Sequence, residues 1–539
     1  MVGVHRRGAG CLNLADRIEQ AARRWAGDIA LLTVSSDPDD PGGGPVTGRT
    51  TWEELYSMVM GLCSGLADGG LRRGDRLAVL MHNSCEMVAS EWACLVAGFV
   101  WVSFNTRSSA AELTGLLADC SPGVLLVSNE CAGLVGSVQI PESCRLVFVG
   151  SEDWSQLLAA PIGGKGWAQE GWAAPAEDDA VRIRYTSGTS GKQRGVVQPL
   201  RCYDGSIEAV TEVLGDPGRD EVLLQVAPMT HAAGAMLLPC LLGGGRAVLL
   251  DRFDARCFGP LVRAHAVTSV FLVPTMLARV LDRDSVAADL SSLRRVIYGG
   301  APMPVDRLLQ GLELLGQVFI QIYGLTECTW PATTLLQSEH PLSGSLDERS
   351  SRLRSCGRPA RRVEVRVVDE AGRDVVGALP GEVLLRGPNT MSGYWRAGKK
   401  SPGQASADER DPRGLDEQGW VHTGDLGFFD DEGFLTVLDR LDDTIITGGF
   451  NVHPREVEDA LSSHPAVLES AVVGRDDPEW GRSVHAVVVC RPGAQVDEQE
   501  LKQHCAALLS AYKKPRTVEF ADSLPRNPSG KTLRRVLRS

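Results

Sequence analysis

The sequence has little lysine, no long uninterrupted apolar run and no excess of positive charge. Only 8 of its 55 basic residues are lysines, and 68 acidic residues leave a net charge of −13 over 539 residues. This balance disfavours general binding to nucleic acid or to an anionic membrane, because both normally need a basic face. A negatively charged ligand must therefore be held by a locally basic site.

Two further absences concern membrane insertion and redox state. The longest uncharged stretch, 222–245, is interrupted by prolines, a histidine and several glycines, which indicates a buried strand, loop and helix and not a membrane span. The 14 cysteines include no Cys-x-x-Cys pair, and no apolar run directly follows Arg6 and Arg7 as it does in a secretory signal. We therefore expect a cytoplasmic protein whose thiols are reduced.

The composition is that of a folded protein with more than one domain. Hydrophobic residues make up 43% and charged residues 23% of a chain too long for a single core. Between residues 52 and 323, helix-like segments alternate with short apolar runs, which predicts an α/β fold with largely parallel sheets. Hairpin-like strands after residue 363 predict a smaller antiparallel subdomain, and a compact α+β segment follows residue 440. The helices predicted from periodicity include Trp52–Asp68, Ala110–Asp119, Val305–Leu315, Pro454–Ser463 and Asp497–Tyr512. The predicted strands include Val124–Val127 and Ala471–Gly474, and residues 398–418, rich in Gly, Pro, Ser and Asp, predict a solvated loop.

A loop rich in glycine and hydroxyl groups follows the predicted strand Val181–Tyr185. It reads Tyr185-Thr-Ser-Gly-Thr-Ser-Gly-Lys-Gln-Arg-Gly195. Glycines allow backbone N–H groups to approach a phosphate, while the hydroxyl groups and the two cations supply further donors. A Walker A loop is excluded, because it would need glycine at Thr186 and serine or threonine at Gln193. Taken alone, the loop is as compatible with a flexible surface turn as with a phosphate site.

Four further motifs follow this loop along the chain. They are Tyr323-Gly-Leu-Thr-Glu327, His422-Thr-Gly-Asp425, Asp439-Arg-Leu-Asp442 and Pro525-Arg-Asn-Pro-Ser-Gly-Lys531. In order and spacing, the set resembles the signature motifs of the adenylate-forming superfamily, which contains acyl- and aryl-CoA synthetases, carrier-protein adenylation domains and firefly luciferase. The motif style is closest to aryl- and acyl-CoA ligases, and the resemblance covers essentially the whole chain.

This resemblance implies both a fold and a domain division. The fold is α/β, with a large N-terminal region of two α/β subdomains plus a small β-rich subdomain, followed by a mobile α+β C-terminal lid. Residues 1–440 would bind ATP and the acid, and residues 441–539 would form the lid, with a hinge near Asp442.

The resemblance also implies roles for individual residues. The phosphates of ATP would be held by Thr186, Ser187, Gly188, Thr189, Ser190, Gly191, Lys192 and Arg194. Adenine and ribose would contact Gly300, Ala301, Pro302, Tyr323 and Asp425. Glu327 would bind Mg²⁺, a hard cation that prefers carboxylate oxygen. The catalytic set would be Lys531, bridging the acid carboxylate and the α-phosphate, with Arg440 and Thr326 at the ribose or phosphates.

Two binding regions for the other substrates follow in the same way. The acid pocket would contain His231, Ala235, Gly300 and Gly324, and the CoA site would contain Gly448, Gly449, Trp480, Tyr512 and Lys514. Taken singly, His231 is equally compatible with a buried core histidine, and Trp480 and Tyr512 with packing inside the lid. The family usually has proline and lysine where this chain has Gln193 and Arg194, so closure of the phosphate loop can differ.

The implied reaction is ATP-dependent, AMP-forming activation of an aryl or medium acyl acid, with Mg²⁺ as cofactor and CoA as acceptor. Two alternatives keep the adenylation step: transfer to a free-standing carrier protein, and activation of nitrite for diazotisation of an aromatic amine. A third alternative is a non-catalytic nucleotide-binding protein, suggested by the altered loop pair. The joint presence of Glu327, Asp425 and Lys531 argues against it.

Overall fold

The chain folds as a mixed α/β protein, as the sequence predicts, and its described residues form four sheets. The computed structural model describes residues 13–37, 39–40, 42–162, 174–186, 193–282, 290–396, 414–447, 450–477, 480–526 and 532–538. Within these ranges, no helix combines the length and the apolar character that crossing a membrane would require. The 13 cysteines in the described residues are all free thiols.

A seven-stranded sheet forms the first α/β subdomain. Its strands, in spatial order, are β18 (Gly393–Tyr394), β8 (Gly195–Pro199), β7 (Ala180–Tyr185), β4 (Val100–Ser103), β3 (Arg76–Leu80), β5 (Val124–Val127) and β6 (Arg145–Phe148). The strands from β7 to β6 are parallel, whereas β8 and β18 are antiparallel to their neighbours. Strand β5 is buried at every position, which explains its continuous apolar sequence.

A nine-stranded sheet forms the second α/β subdomain. Its strands, in spatial order, are β15 (Arg358–Pro359), β14 (Cys328–Leu335), β13 (Phe319–Leu325), β12 (Arg295–Gly299), β11 (Ser269–Leu272), β9 (Val222–Gln225), β10 (Arg246–Leu250), β1 (Ile29–Val34) and β2 (Val46–Thr51). The strands from β13 to β1 are parallel, and antiparallel strands close both edges.

Helices cover these sheets on both faces. They are α1 (Leu14–Arg24), α2 (Trp52–Asp68), α3 (Cys85–Ala97), α4 (Ala110–Cys120), α5 (Ala132–Val135), α6 (Glu152–Leu158), α7 (Leu200–Leu214), α8 (Leu237–Leu242), α9 (Ala255–His265), α10 (Pro274–Leu281), α11 (Val305–Leu315) and α12 (Leu346–Arg354). Helix α2 begins where predicted because Thr51 and Glu54 form a capping box. The largest hydrophobic core combines side chains of β3 and β10 with α1, α2, α3 and α7, so it lies between the two sheets.

A four-stranded antiparallel sheet forms the predicted β-rich subdomain. Its strands are β16 (Glu364–Val368), β17 (Gly381–Arg386), β19 (Val421–Phe429) and β20 (Leu435–Arg440). The polar segment that the sequence places at 398–418 falls largely in 397–413, outside the described residues.

The C-terminal segment has its own sheet and hydrophobic core. Its elements are β21 (Ile445–Thr447), β22 (Phe450–Val452), α13 (Pro454–Ser462), β23 (Val467–Asp477), β24 (Gly481–Cys490), α14 (Glu498–Leu508), β25 (Thr517–Phe520) and α15 (Arg534–Leu537). The predicted helix Asp497–Tyr512 is wrong at its C-terminal end. Leu509 adopts an extended backbone and packs against the lid core, so Tyr512 lies outside the helix.

Candidate active site

Asp425 lies at the centre of a hydrogen-bonded group formed by three strands. The hydroxyl of Tyr323, on β13, donates to Asp425 Oδ2 at 2.6 Å, and Arg440 Nη1, on β20, donates to Oδ1 at 2.8 Å. Arg440 reaches Asp425 because the two residues are paired across β19 and β20. Each carboxylate oxygen is thus fixed by one protein donor and keeps capacity to accept from a ligand hydroxyl.

The protein environment keeps Tyr323 protonated and Arg440 charged. Burial, followed by the nearby charge of Asp425, raises the pKa of Tyr323 well above its usual value, so the phenol stays protonated as a donor. Burial alone would lower the pKa of Arg440, but the Asp425 carboxylate outweighs it and the pKa of Arg440 is raised. The guanidinium of Arg440 therefore keeps its charge beside Asp425.

Glu327 is positioned by an aromatic residue that the sequence motifs did not include. The hydroxyl of Tyr394, on β18, donates to Glu327 Oε1 at 2.9 Å, and the guanidinium of Arg194 lies 4.1 Å from the centre of the Tyr394 ring. Arg194, Tyr394 and Glu327 therefore form a continuous contact between the phosphate-loop end and the predicted metal ligand. An arginine can stack flat on the ring in a way that a lysine cannot.

The described parts of the phosphate loop connect to the same region. The N–H of Thr186 donates to the Arg194 carbonyl at 2.9 Å, which closes the base of the loop. Gln198 Nε2 donates to the carbonyl of Thr326 at 2.8 Å and so ties β8 to the turn that carries Glu327. The predicted residues Ser187, Gly188, Thr189, Ser190, Gly191 and Lys192 lie outside the described residues.

The predicted adenine wall lies beside Tyr323. Gly299 pairs with Ile322, so Gly300, Ala301 and Pro302 leave the end of β12 next to Tyr323 and Gly324 on β13. Gly300 has φ +80°, a backbone conformation that favours glycine, and its neighbours Ala301 and Pro302 are exposed. Exposed small residues beside a tyrosine leave room for a planar ring.

The predicted acid pocket begins where a 3₁₀ turn, 232–236, follows His231. His231 Nε2 lies 3.3 Å from Nδ2 of Asn105, a residue just beyond the end of β4. Ala235 and Gly234 line a small cavity of about 20 Å³, enough for a water molecule. A side chain at position 234 would collide with the Met229 carbonyl, which explains the glycine there.

The predicted hinge lies in a short turn between the β-rich subdomain and the C-terminal segment. Asp442 is the middle residue of the 3₁₀ turn Leu441–Asp443, directly after β20. Arg534 Nη1 lies 3.1 Å from both Asp439 and Asp443, and its Nη2 contacts Glu458 at 2.8 Å. The end of the chain is thereby bound to both sides of the turn.

The predicted CoA residues that the structure describes lie in the C-terminal segment, where Tyr512 and Trp480 each contact a different neighbour. Tyr512 stacks on Phe450 with ring centroids 4.7 Å apart, and both rings are exposed, as is Lys514. Trp480 lies at the start of β24 under the guanidinium of Arg516, at 4.3 Å, and its buried indole N–H has no partner in the described chain. Gly448 and Gly449, which join β21 to β22, lie outside the described residues, as does Lys531.

Sequence reasoning missed Tyr394 and two buried arginines of β7, Arg182 and Arg184. Tyr394 carries no motif of its own and meets Glu327 only through the fold, 67 positions away in the chain. A usable signal did exist for the arginines, because two charges at alternate positions of an otherwise apolar strand predict one buried, charged face.

A magnesium ion is compatible with this set of residues. Glu327 Oε1 is held by Tyr394, and Oε2 accepts no hydrogen bond from the described residues. No group of three or more histidine, cysteine, aspartate or glutamate side chains suited to a metal occurs in the described ranges. A single carboxylate matches Mg²⁺ better than a dedicated protein cage, because Mg²⁺ commonly takes its remaining ligands from water and substrate phosphates.

Comparison with known proteins agrees with this geometry. The family profile described as "AMP-binding enzyme" matches residues 18–395, and the profile described as "AMP-binding enzyme C-terminal domain" matches residues 456–531. A feruloyl-CoA synthase from an Amycolatopsis species is 35% identical over 501 residues, covering 90% of this chain and 93% of that protein.

Two further similar proteins extend the comparison. The fatty acid–[acyl-carrier-protein] ligase ScoC from Streptomyces coeruleorubidus is 34% identical over 501 residues, covering 91% of this chain and 92% of its own. The o-succinylbenzoate CoA synthetase from Bacillus subtilis, solved with its acyl-adenylate intermediate, superposes with a TM-score of 0.78 at 30% identity, covering 97% and 98% of the two chains. The chain therefore belongs to the AMP-binding enzyme family of AMP-forming ligases.

Proposed function

We propose that this enzyme activates an aryl or medium acyl carboxylic acid as its acyl-adenylate and transfers the acyl group to the thiol of CoA. The observation that carries the adenylation half is the group Tyr323–Asp425–Arg440 beside Glu327, which offers a carboxylate for a ribose and another for a cation. The acceptor half is supported by the name of the feruloyl-CoA synthase and by the exposed aromatic pair on the lid.

Adenylation solves a problem of electrophilicity. A carboxylate resists attack because its charge is delocalised and oxide is a very poor leaving group, whereas a mixed anhydride with AMP carries a good one. The acid oxygen attacks the α-phosphorus in line, pyrophosphate leaves, and negative charge grows on the phosphoryl oxygens. Glu327 would hold Mg²⁺, whose charge would neutralise part of the charge on the phosphoryl oxygens.

The chain's own residues supply position and charge for this step. Asp425 accepts from the ribose hydroxyls, and its orientation is fixed by Tyr323 and Arg440. We assign the acid carboxylate and the α-phosphate to Lys531, with Thr326 at the phosphate and the phosphate loop from Thr186 to Arg194 on the β- and γ-phosphates. Positioning and charge stabilisation of this kind provide most of the catalysis in phosphoryl transfer.

For the second step, we propose that residues 441–539 turn about Asp442. This rotation would withdraw Lys531 and bring Gly448 and Gly449 to the acyl-adenylate. Paired glycines there would allow the thin pantetheine arm to pass close to the backbone. Tyr512 and Phe450 offer a flat, exposed surface suited to stacking with the CoA adenine, and Lys514 supplies charge for its phosphates.

The experiment is a screen for pyrophosphate release with aryl acids, fatty acids, and nitrite plus aminoaryl acids, each with and without CoA. We expect an aryl or medium acyl acid to release pyrophosphate, with continuous turnover only when CoA is present. The variant Gly449→Leu should still form acyl-adenylate but lose CoA consumption, because a side chain would obstruct the pantetheine. Turnover of wild-type enzyme to a stable product without any thiol would refute the CoA assignment.

Transfer to a carrier protein is the second candidate, and the similarity to ScoC favours it specifically. Transfer to a carrier protein differs from transfer to CoA only in the acceptor of the acyl group. With acyl-adenylate already formed, free CoA and a phosphopantetheinylated carrier protein are supplied in parallel. Acylation of the carrier protein without consumption of CoA would mean that the carrier protein is the acceptor.

A further inference from the structure

Strand β7, which leads into the phosphate loop, carries two arginines that are buried. Arg182 is 3% exposed and Arg184 is 6% exposed, and both point to the same face because they occupy alternate positions of one strand. A desolvated guanidinium needs a counter-charge, since an unpaired ion inside a protein is strongly unfavourable. The two arginines meet this requirement very differently.

Arg182 has a complete set of protein partners. Its Nη2 lies 3.0 Å from Glu91 Oε1, its Nε donates to the hydroxyl of Tyr203 at 2.5 Å, and the Tyr203 hydroxyl in turn donates to Glu91. Its guanidinium also lies 4.2 Å from the centre of the Tyr203 ring. The single buried carboxylate of this cluster is therefore already used by Arg182.

Arg184 has no comparable set of protein partners. Its Nε and Nη2 are buried and make no hydrogen bond, and no carboxylate within the described residues forms an ion pair with it. Burial and the charge of Arg182 lower the pKa of Arg184 to about 9, so the side chain still carries its proton at neutral pH. Strand β7 therefore carries one buried positive charge that no carboxylate of the described residues neutralises.

The excess charge lies on the side of the acid pocket. Arg182, on the same face, lines the cavity that Gly234 and Ala235 also line. The parallel register pairs Trp101 with Arg182 and Val102 with Ile183, so Ser103 and Arg184 are the next residues of the two strands. Two residues after Ser103, the chain reaches Asn105, the contact of His231.

Hydroxyl groups near this region are also left without partners. The buried hydroxyls of Ser103 and Thr230 make no hydrogen bond within the described chain, and Thr230 directly precedes His231. Hydroxyl groups and a guanidinium are the donors that a small oxyanion accepts from. Their joint lack of partners indicates that a ligand, and not the protein, satisfies them.

We propose that Arg184 binds a compact anionic group of the substrate inside the acid pocket. The group is either a second carboxylate of a dicarboxylic acid or a free nitrite ion, which share a planar pair of oxygens that matches the guanidinium. This inference rests on the proposed adenylation and narrows its substrate class to anion-bearing substrates.

The test compares matched substrates in the full-length enzyme and in two variants. Isophthalate and 2-succinylbenzoate are each paired with their monomethyl esters, and nitrite is offered with and without an aminoaryl acid. Arg184→Met removes the charge at similar volume, and Arg184→Lys restores the charge without the planar fork. Arg246→Met is the matched control. Arg246 is the first residue of strand β10, and its Nε is also buried without a hydrogen-bond partner.

We expect wild-type kcat/KM for pyrophosphate release to favour a diacid over its ester, or to favour nitrite, by at least about tenfold. Arg184→Met should lose roughly 10²-fold with the preferred anion, because a buried charge-assisted contact is removed. It should leave the ester unchanged or improved, and Arg184→Lys should recover only part of the loss. The measurements with diacids and with nitrite show whether the bound anion is a second carboxylate or a nitrite ion.

A binding measurement without ATP keeps the inference separate from the proposed function. Nitrite or the diacid should raise the melting temperature of the wild type and of Arg246→Met but not that of Arg184→Met, whose ligand-free form should melt at a higher temperature than wild type. Equal loss by Arg184→Met on diacid and ester, or no melting shift with any anion, would overturn the inference. Esters adenylated as well as diacids, together with no preference for nitrite, would overturn it too, while leaving the proposed function intact.

Discussion

Tyr323 and Arg440 hold the two oxygens of Asp425 at 2.6 Å and 2.8 Å, so the orientation of this carboxylate is decided by individual side chains. The sequence could predict Asp425 and Tyr323 as site residues because each sits in a short, contiguous motif. It could not predict their contact, which joins positions 102 residues apart, nor that of Glu327 with Tyr394. Contacts between distant residues depend on strand pairing, which no local pattern encodes.

Removing the Tyr323 hydroxyl tests the role of this contact. We expect Tyr323→Phe to raise KM for ATP about tenfold with a smaller change in kcat, because the carboxylate loses one fixed donor while the ring remains. Steady-state pyrophosphate release against ATP concentration measures it. Tyr298→Phe is the matched control, since its hydroxyl contacts His340 at 3.0 Å in another buried site. Equal changes in the two variants would contradict a specific role for Tyr323.

At the scale of elements, agreement was best where burial gives a segment a regular apolar pattern. Val124–Val127 and Val305–Leu315 have the predicted bounds, the first as a fully buried strand and the second as an amphipathic helix. Strand β23 is longer than its predicted core Ala471–Gly474, because Glu469, Arg475 and Asp476 extend it while pairing with β24. Polar residues on an exposed strand face carry no apolar signal, and backbone pairing decides their structure.

Arg534, in the short helix α15, forms ion pairs on both sides of the turn Leu441–Asp443, where the hinge is predicted. Burial alone would lower the pKa of Arg534, but Glu458, Asp439 and Asp443 outweigh it and its pKa is raised. Burial raises the pKa of Glu458 despite the opposing effect of Arg534. This carboxylate is therefore costly to ionise in the folded state, and Arg534 is the group that makes its ionisation tolerable.

We expect Arg534→Met to lower the unfolding free energy of the C-terminal segment by about 2 kcal/mol or more at pH 8, because Glu458 is left buried and unpaired. When the pKa of a carboxyl group is higher in the folded state than in the unfolded state, the folded protein loses stability as the pH rises through the pKa of the folded state. The defect should therefore be smaller at pH 5, where Glu458 takes up a proton, than at pH 8. Denaturant unfolding at both pH values measures it.

Arg535→Met is the matched control for this effect. Arg535 is the next residue of the same short helix, and its side chain is exposed. It should leave the unfolding free energy within a few tenths of a kcal/mol of wild type at either pH. A defect in Arg534→Met that is the same at pH 5 and pH 8 would exclude Glu458 as its cause.

At the scale of the whole molecule, the two proposed half-reactions would require two positions of residues 441–539, and Asp442 is the residue proposed to change backbone conformation. Proline at this position fixes φ near −65° and restricts the preceding residue. We expect Asp442→Pro to form acyl-adenylate at a rate near wild type while thioester formation slows. Single-turnover measurement of each half-reaction tests this, and a normal overall turnover would place the hinge elsewhere.

Lys531 provides the complementary test, because it is proposed to act in only one position of the lid. We expect Lys531→Ala to lose roughly 10²–10³-fold in adenylate formation, as when a transition-state donor is removed. Thioester formation from supplied acyl-adenylate should remain largely intact, since the lid has by then moved Lys531 away. Lys502→Ala, which removes a lysine paired with Glu498 on the surface of α14 at 2.7 Å, should leave both half-reactions unchanged. Equal damage to both half-reactions in Lys531→Ala would mean that the lid does not exchange its two faces, and the rotation about Asp442 would then have no catalytic purpose.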